Sequence, residues 1–285
     1  MKNIIIPVDF SEDSLKGLEL AVLFSKKIHV NIQLVYVQQK GNEYYAGLAD
    51  GEFHYAEAQF QKIIMKYKPL LENDSKLRYI IKKGRIYREV VNQAQSYQES
   101  VLMASTHGAS GFEEFFIGSN AFRIISATDR PVFTISKGRI PDDIKKIILP
   151  VDAVIETRQK VPFTANIAEM FGAEIHVVSV ATSDNKTTLS KLKSWNSQVC
   201  NYLDGKGIKH LSKELVNDNL AEIIMKYSDD IQADLISIMT EQGSSFSNLF
   251  LGSYAHQVMN KANIPVLSIT PHDVHLPRSF STFGG

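Results

Sequence analysis

The strongest constraint on this chain is that it is written twice. NIIIPVDF at 3–10 returns as KIILPVDA at 146–153, and VNIQLVYV at 30–37 returns as AEIHVVSV at 173–180. IGSNAFRIISATDRPVFTIS at 117–136 returns as LGSYAHQVMNKANIPVLSIT at 251–270. The offset is 143 residues between Asp9 and Asp152 but 134 between Pro131 and Pro265, so the second copy is the shorter. Most of that loss is expected after the second strand, where the first copy carries the insert KGNEYYAGLADGE. Such a period is too long for a solenoid of small stacked units and indicates two tandem domains. We expect the first over 1–138, the second over 144–271, and a joint through KGRIPDDIK. The tail over 272–285 has Pro, Gly, two histidines and little apolar periodicity. It is expected either to be disordered or to fold back across the other domain.

Within the first copy, apolar runs at 3–8, 31–37, 77–82, 100–104 and 132–135 read as strands. Short continuous Val- and Ile-rich runs suit strands covered on both faces of a parallel sheet. Helical patterns lie between them, at 14–28, 53–72, 87–97 and after Gly118. In the first of these Leu15, Leu18, Ala21, Val22 and Ser25 share one face, with Ser11 as the N-cap. Strands alternating with helices predict an α/β fold: two tandem doubly wound domains, each a five-stranded parallel sheet flanked by helices, with right-handed crossovers.

Composition narrows the function classes. Lys+Arg and Asp+Glu are equal at 31 each, which gives no electrostatic footprint for nucleic acid or an anionic membrane. The single cysteine, Cys200, can form neither an internal disulfide nor a multi-cysteine zinc site. No stretch approaches the roughly 18 apolar residues of a membrane span. The apolar start MKNIIIPVDF is too short for a secretory signal, so a cytoplasmic protein is expected.

The chemistry concentrates in STHGASGFEEFFIGS, 105–119, just after the fourth strand. Ligands of open parallel sheets sit beyond the carboxyl ends of the strands, and both Asp9 and this segment fall there. Gly108 would let backbone approach a phosphate, and Gly118-Ser119 opens a helix whose free N–H groups favour an anion. Asp9 would accept from ribose hydroxyls or an adenine amino group, with Pro7 shaping the strand end beneath the base. Each residue has a plainer alternative. Ser119 can be an N-cap, Gly108 a turn residue, Asp9 a local cap, and His107 a hydrogen-bonded core histidine. Only the joint occurrence at two strand ends favours a nucleotide.

These segments, PVDFSEDSLKGLELA together with 105–136, resemble the universal stress protein family, and the second half resembles a more divergent member. The family's ATP-binding members carry Gly, two residues, Gly, nine residues, then Gly-Ser or Gly-Thr. Gly108 and Gly118-Ser119 fit that pattern, while Ser105 stands at the first glycine. The resemblance implies that Pro7 and Asp9 belong to an adenosine site and that Val37 offers a backbone contact to adenine. It implies Ala104 and Ser105 against the ribose, and Gly108, Gly118, Ser119 and Asn120 facing the phosphates. The implied cofactor is ATP, with ADP and AMP as alternatives and magnesium as a candidate companion. It also implies pairing through the last strands, here an internal pseudo-dimer of 128–136 with 263–270. A homodimer and an unidentified protein partner stay open alternatives.

The second copy keeps Pro150, Asp152 and Gly252-Ser253, but aligning Thr240 with the first glycine leaves eight residues between Gly243 and Gly252. With Glu241 beside the phosphates, this predicts a second site that binds ATP weakly or not at all, in a domain whose role is structural. Substituting Gly118 by Val is expected to abolish binding and leave the fold intact.

Catalytic signatures are missing. There is no G-x-x-x-x-G-K-[ST], G-x-S-x-G or H-E-x-x-H, and neither H-I-G-H nor S-G-G-x-D-S. The expectation is a stress-response or regulatory protein that senses an adenine nucleotide, with at most slow ATP hydrolysis. The rival is a nucleotide-free scaffold that binds a protein or another small ligand.

Overall fold

The computed structural model describes residues 1–38, 46–106, 118–136, 138–152, 155–181, 185–217, 219–240 and 252–271. Gly108, His107, Glu241, Gly243 and the tail lie outside the described residues.

The first half runs β1 (Asn3–Pro7), α1 (Glu12–Ser25), β2 (Asn31–Gln38), α2 (Ala46–Tyr67), β3 (Lys76–Lys83), α3 (Ile86–Gln95), β4 (Ser100–Ser105), α4 (Ser119–Ala127) and β5 (Val132–Ile135). The second half repeats the order with β6 (Lys146–Val151), α5 (Val161–Phe171), β7 (Glu174–Ala181), α6 (Lys186–Gly205), β8 (His210–Val216), α7 (Leu220–Ile231), β9 (Leu235–Met239), α8 (Ser253–Lys261) and β10 (Val266–Ile269).

Every strand among the described residues joins one ten-stranded sheet, in the order β3-β2-β1-β4-β5-β10-β9-β6-β7-β8. Pairing is parallel within each half and antiparallel only where the halves meet, at β5 and β10. The register there sets Thr134 opposite Val266 and Val132 opposite Ser268. Thr134 Oγ1 donates to the Val266 carbonyl at 3.3 Å, and Ser268 Oγ donates to the Val132 carbonyl at 3.1 Å. The expected internal pairing is therefore present. Each half covers the edge strand that the other would otherwise expose.

Two continuous apolar layers cover the sheet. One face buries Leu18, Phe24 and Phe60 of α1 and α2 together with Val161, Phe171 and Leu203 of α5 and α6. The opposite face buries Val90 and Ile124 of α3 and α4 together with Ile224 and Val258 of α7 and α8. Both layers run across the β5–β10 seam. Ile4, Ile5 and Ile6 are each fully buried, as a strand sandwiched between helices requires.

Two local differences from the sequence expectation matter for the site. Helix α2 starts at Ala46 rather than 53, so the latter part of the first-copy insert is helical. Helix α4 begins at Ser119 with Gly118 as its N-cap, and no side chain caps it. Ser119 is thus the first residue inside the helix rather than the N-cap, because Gly118 already has extended geometry (φ −54°, ψ 143°).

Candidate functional site

The carboxyl ends of β1, β2 and β4 border a cleft of about 430 Å³. Its walls include Pro7, Asp9, Val37, Ala104, Ser105, Gly118, Ser119 and Asn120. The structure thus brings together eight of the nine residues singled out from sequence, and the ninth, Gly108, lies outside the described residues. The volume falls within the range of about 300–1,000 Å³ usual for small-molecule sites.

The β1–α1 turn is built by three short side chains. Asp9 Oδ1 accepts from the Ser11 amide at 3.0 Å and from Ser11 Oγ at 2.5 Å. Ser11 Oγ in turn accepts from the Ser14 amide at 3.2 Å, which makes it the N-cap of α1. Ser14 Oγ donates to the Ser11 carbonyl at 2.8 Å and accepts from the Asp9 amide at 3.3 Å. Asp9 therefore holds its own turn, as the plainer reading has it, and also borders the cleft. Phe10 follows with φ +68°, a conformation that is unusual for a bulky side chain and marks backbone strain beside the site. Its ring stacks on Tyr36 at 4.8 Å and meets Phe60 edge-on at 5.1 Å.

At the opposite wall, the Gly118 amide donates to the Thr106 carbonyl at 2.7 Å, which ties the end of β4 to the start of α4. The first turn of α4, with Ser119 and Asn120 exposed, borders the cleft. Its free N–H groups make that wall attractive to an anion.

Two further groups on the walls escaped the sequence reading, Tyr36 and Glu52. Tyr36 Oη donates to Glu52 Oε1 at 2.6 Å. Burial, and then the Glu52 carboxylate, push the phenol well above its ordinary pKa, so it keeps this proton. Glu52 sits on the unforeseen early part of α2, so only a longer helix forecast would have pointed to it.

The universal stress protein family model matches residues 1–136 and again residues 143–269. The chain belongs to the universal stress protein family. Universal stress protein Slr1230 of Synechocystis is 22% identical over 94% of this chain and 99% of its own length. Universal stress protein MJ0531 of Methanocaldococcus jannaschii is 26% identical over 48% of this chain and 82% of its own length. Among solved structures, a universal stress protein from Archaeoglobus fulgidus shares the fold with a TM-score of 0.77. The match has 18% identity and covers 94% of this chain and 98% of that one.

The second universal stress protein domain departs from the first in a way its sequence motif misrepresents. Ser105 pairs with Ile135 in the first domain, and Met239 pairs with Ile269 in the second. The Thr106 and Thr240 amides donate to those same two carbonyls, at 2.9 and 3.0 Å. Thr240 is therefore the counterpart of Thr106, and Met239 that of Ser105. The sequence segments 107–117 and 241–251 have equal lengths, so no residue has been lost and the glycine has moved by one position. Gly252 nevertheless takes φ +52° where Gly118 takes φ −54°.

Other substitutions alter the second site directly. Tyr254 stands in the Asn120 position, and its hydroxyl is buried with no hydrogen-bond partner among the described residues. Burial, and secondarily the charge of Asp152, raise its pKa. Lys160 stands in the Gly17 position, is 2% exposed, and donates to the Thr157 carbonyl at 2.9 Å. Burial pushes the Lys160 ammonium down to about 8, with the attraction of Asp152 opposing. The Ser11 position is Val154, which has no hydroxyl. The carboxylate that the Ser11 amide and hydroxyl hold in the first domain thus has a buried cation for a neighbour in the second.

No described helix is long and apolar enough to cross a membrane. Among the described residues no group of three or more His, Cys, Asp or Glu side chains is arranged to hold a metal ion.

Proposed function

We propose that this is a cytoplasmic regulatory protein whose first domain (1–138) binds ATP or another adenine nucleotide, and whose second domain (144–271) is structural. Nucleotide occupancy is then a signal rather than a fuel supply. The observation that carries this reading is the polarity of the first-domain cleft. One end has the Asp9 and Glu52 carboxylates, suited to the neutral donors of a nucleoside. The other end has the open first turn of α4, suited to phosphates. In this reading Pro7, Asp9, Val37, Ala104 and Ser105 meet adenosine, and Gly108, Gly118, Ser119 and Asn120 meet the phosphates. Magnesium would accompany those phosphates. The second domain gives its corresponding positions to Lys160 and Tyr254 side chains, which argues for a structural role.

Ser119→Glu tests the assignment, because Ser119 is exposed and its replacement disturbs no packing. A carboxylate at the first turn of α4 would repel phosphate oxygens at short range. Calorimetric titration is expected to show ATP affinity falling at least tenfold, with the thermal midpoint within about 2 °C of wild type. Unchanged affinity would remove α4 from the site.

A further inference from the structure

Among the described residues, the polar side chains that line the end of the cleft formed by β1, β2 and α2 have no proton left to offer. Tyr36 has a single hydroxyl hydrogen and gives it to Glu52 Oε1 at 2.6 Å. Ser14 gives its hydrogen to the Ser11 carbonyl at 2.8 Å. Asp9 and Glu52, as carboxylates, only accept. A ligand edge seated here must therefore bring donors, and a carbonyl oxygen in the same place would face other acceptors across a partly desolvated gap.

Sheet order fixes which part of a nucleotide meets this end. In the order β2-β1-β4, Tyr36 and the first turn of α4 are offset by about two strand spacings along the sheet, roughly 10 Å, and belong to opposite faces of it. Phosphates held at α4 leave the base beside Tyr36 and Glu52. Resting on the nucleotide reading above, we propose that Glu52, oriented by Tyr36, reads the base. It accepts a hydrogen bond from an exocyclic amino group and so selects 6-aminopurine over 6-oxopurine nucleotides.

The second domain supplies an internal contrast. Val35 and Val178 occupy the same register against β1 and β6, so Ser179 is the counterpart of Tyr36. Ser179 Oγ accepts from Asn196 of α6 at 2.7 Å in a fully buried contact. Both domains thus tie the second strand to the following helix by a polar pair. In the first domain that pair lines the cleft, so its role there extends beyond tying helix to sheet.

Glu52→Gln separates base reading from a purely structural tie. Glutamine keeps an oxygen to accept the Tyr36 proton, and its amide nitrogen then turns toward the cleft as a donor that favours a 6-carbonyl. ATP and ITP are titrated calorimetrically into wild type and variant, with circular dichroism confirming the fold. Wild type is expected to bind ATP at least tenfold more tightly than ITP, and the variant to lower that ratio at least tenfold. An equal ratio in both proteins, or a wild type that does not distinguish the two, overturns base reading while leaving the nucleotide site standing. If wild type binds neither nucleotide, the nucleotide reading itself fails and base reading falls with it.

Discussion

A β-carbon on Gly118 would sit 2.9 Å from the Thr106 carbonyl oxygen, so substituting this residue tests packing before it tests binding. Gly118→Val, which the sequence alone offers as a clean binding probe, is expected to cost about 1–3 kcal/mol of stability, read as a lowered urea midpoint. Lys160 gives a second prediction of this kind. Burial pushes its amine down to about 8 in the folded chain, against an ordinary value of 10.5. Between those values the unfolded chain holds the extra proton, so stability rises with pH across that window. Below it both states are protonated and the contribution is constant. Lys160→Met should flatten the rise relative to wild type in urea titrations at pH 7.5 and pH 10. Parallel slopes would show that burial does not depress this lysine.

Among the elements, Phe24 of α1 meets Phe133 of β5 edge-on at 5.3 Å and Phe171 of α5 at 5.0 Å, bridging the two halves. Phe24→Ala is expected to destabilise by about 3–5 kcal/mol in denaturant unfolding, and a loss below about 1 kcal/mol would contradict this. The strands and most helices were legible in the sequence because buried parallel strands leave continuous apolar runs and helices leave a periodic face. The last-strand pairing was legible only through the family resemblance. Glu52 was not legible, since the glycines and tyrosines of 41–51 masked the start of α2 and a contact between α2 and β2 leaves no local pattern. Nor was the true alignment of the second loop, because a glycine that shifts by one position looks like a deletion until strand register is known. The Lys160 and Tyr254 substitutions were in plain view as residues, but their burial depends on tertiary packing.

For the molecule as a whole, the shared apolar layers and the β5–β10 pairing predict one cooperative unfolding transition for the two domains. Fluorescence of Trp195, on α6, and far-ultraviolet dichroism should report the same midpoint, and separated midpoints would show that the halves melt independently. The same architecture carries an asymmetry, with an open cleft in one domain and the buried Lys160 side chain and Tyr254 hydroxyl in the corresponding region of the other. That asymmetry is tested most directly by stoichiometry: strip the protein of small molecules, confirm this by mass spectrometry, and titrate ATP calorimetrically. One ATP per chain is the expected result. Two per chain would contradict a purely structural second domain, and none would contradict the nucleotide site itself.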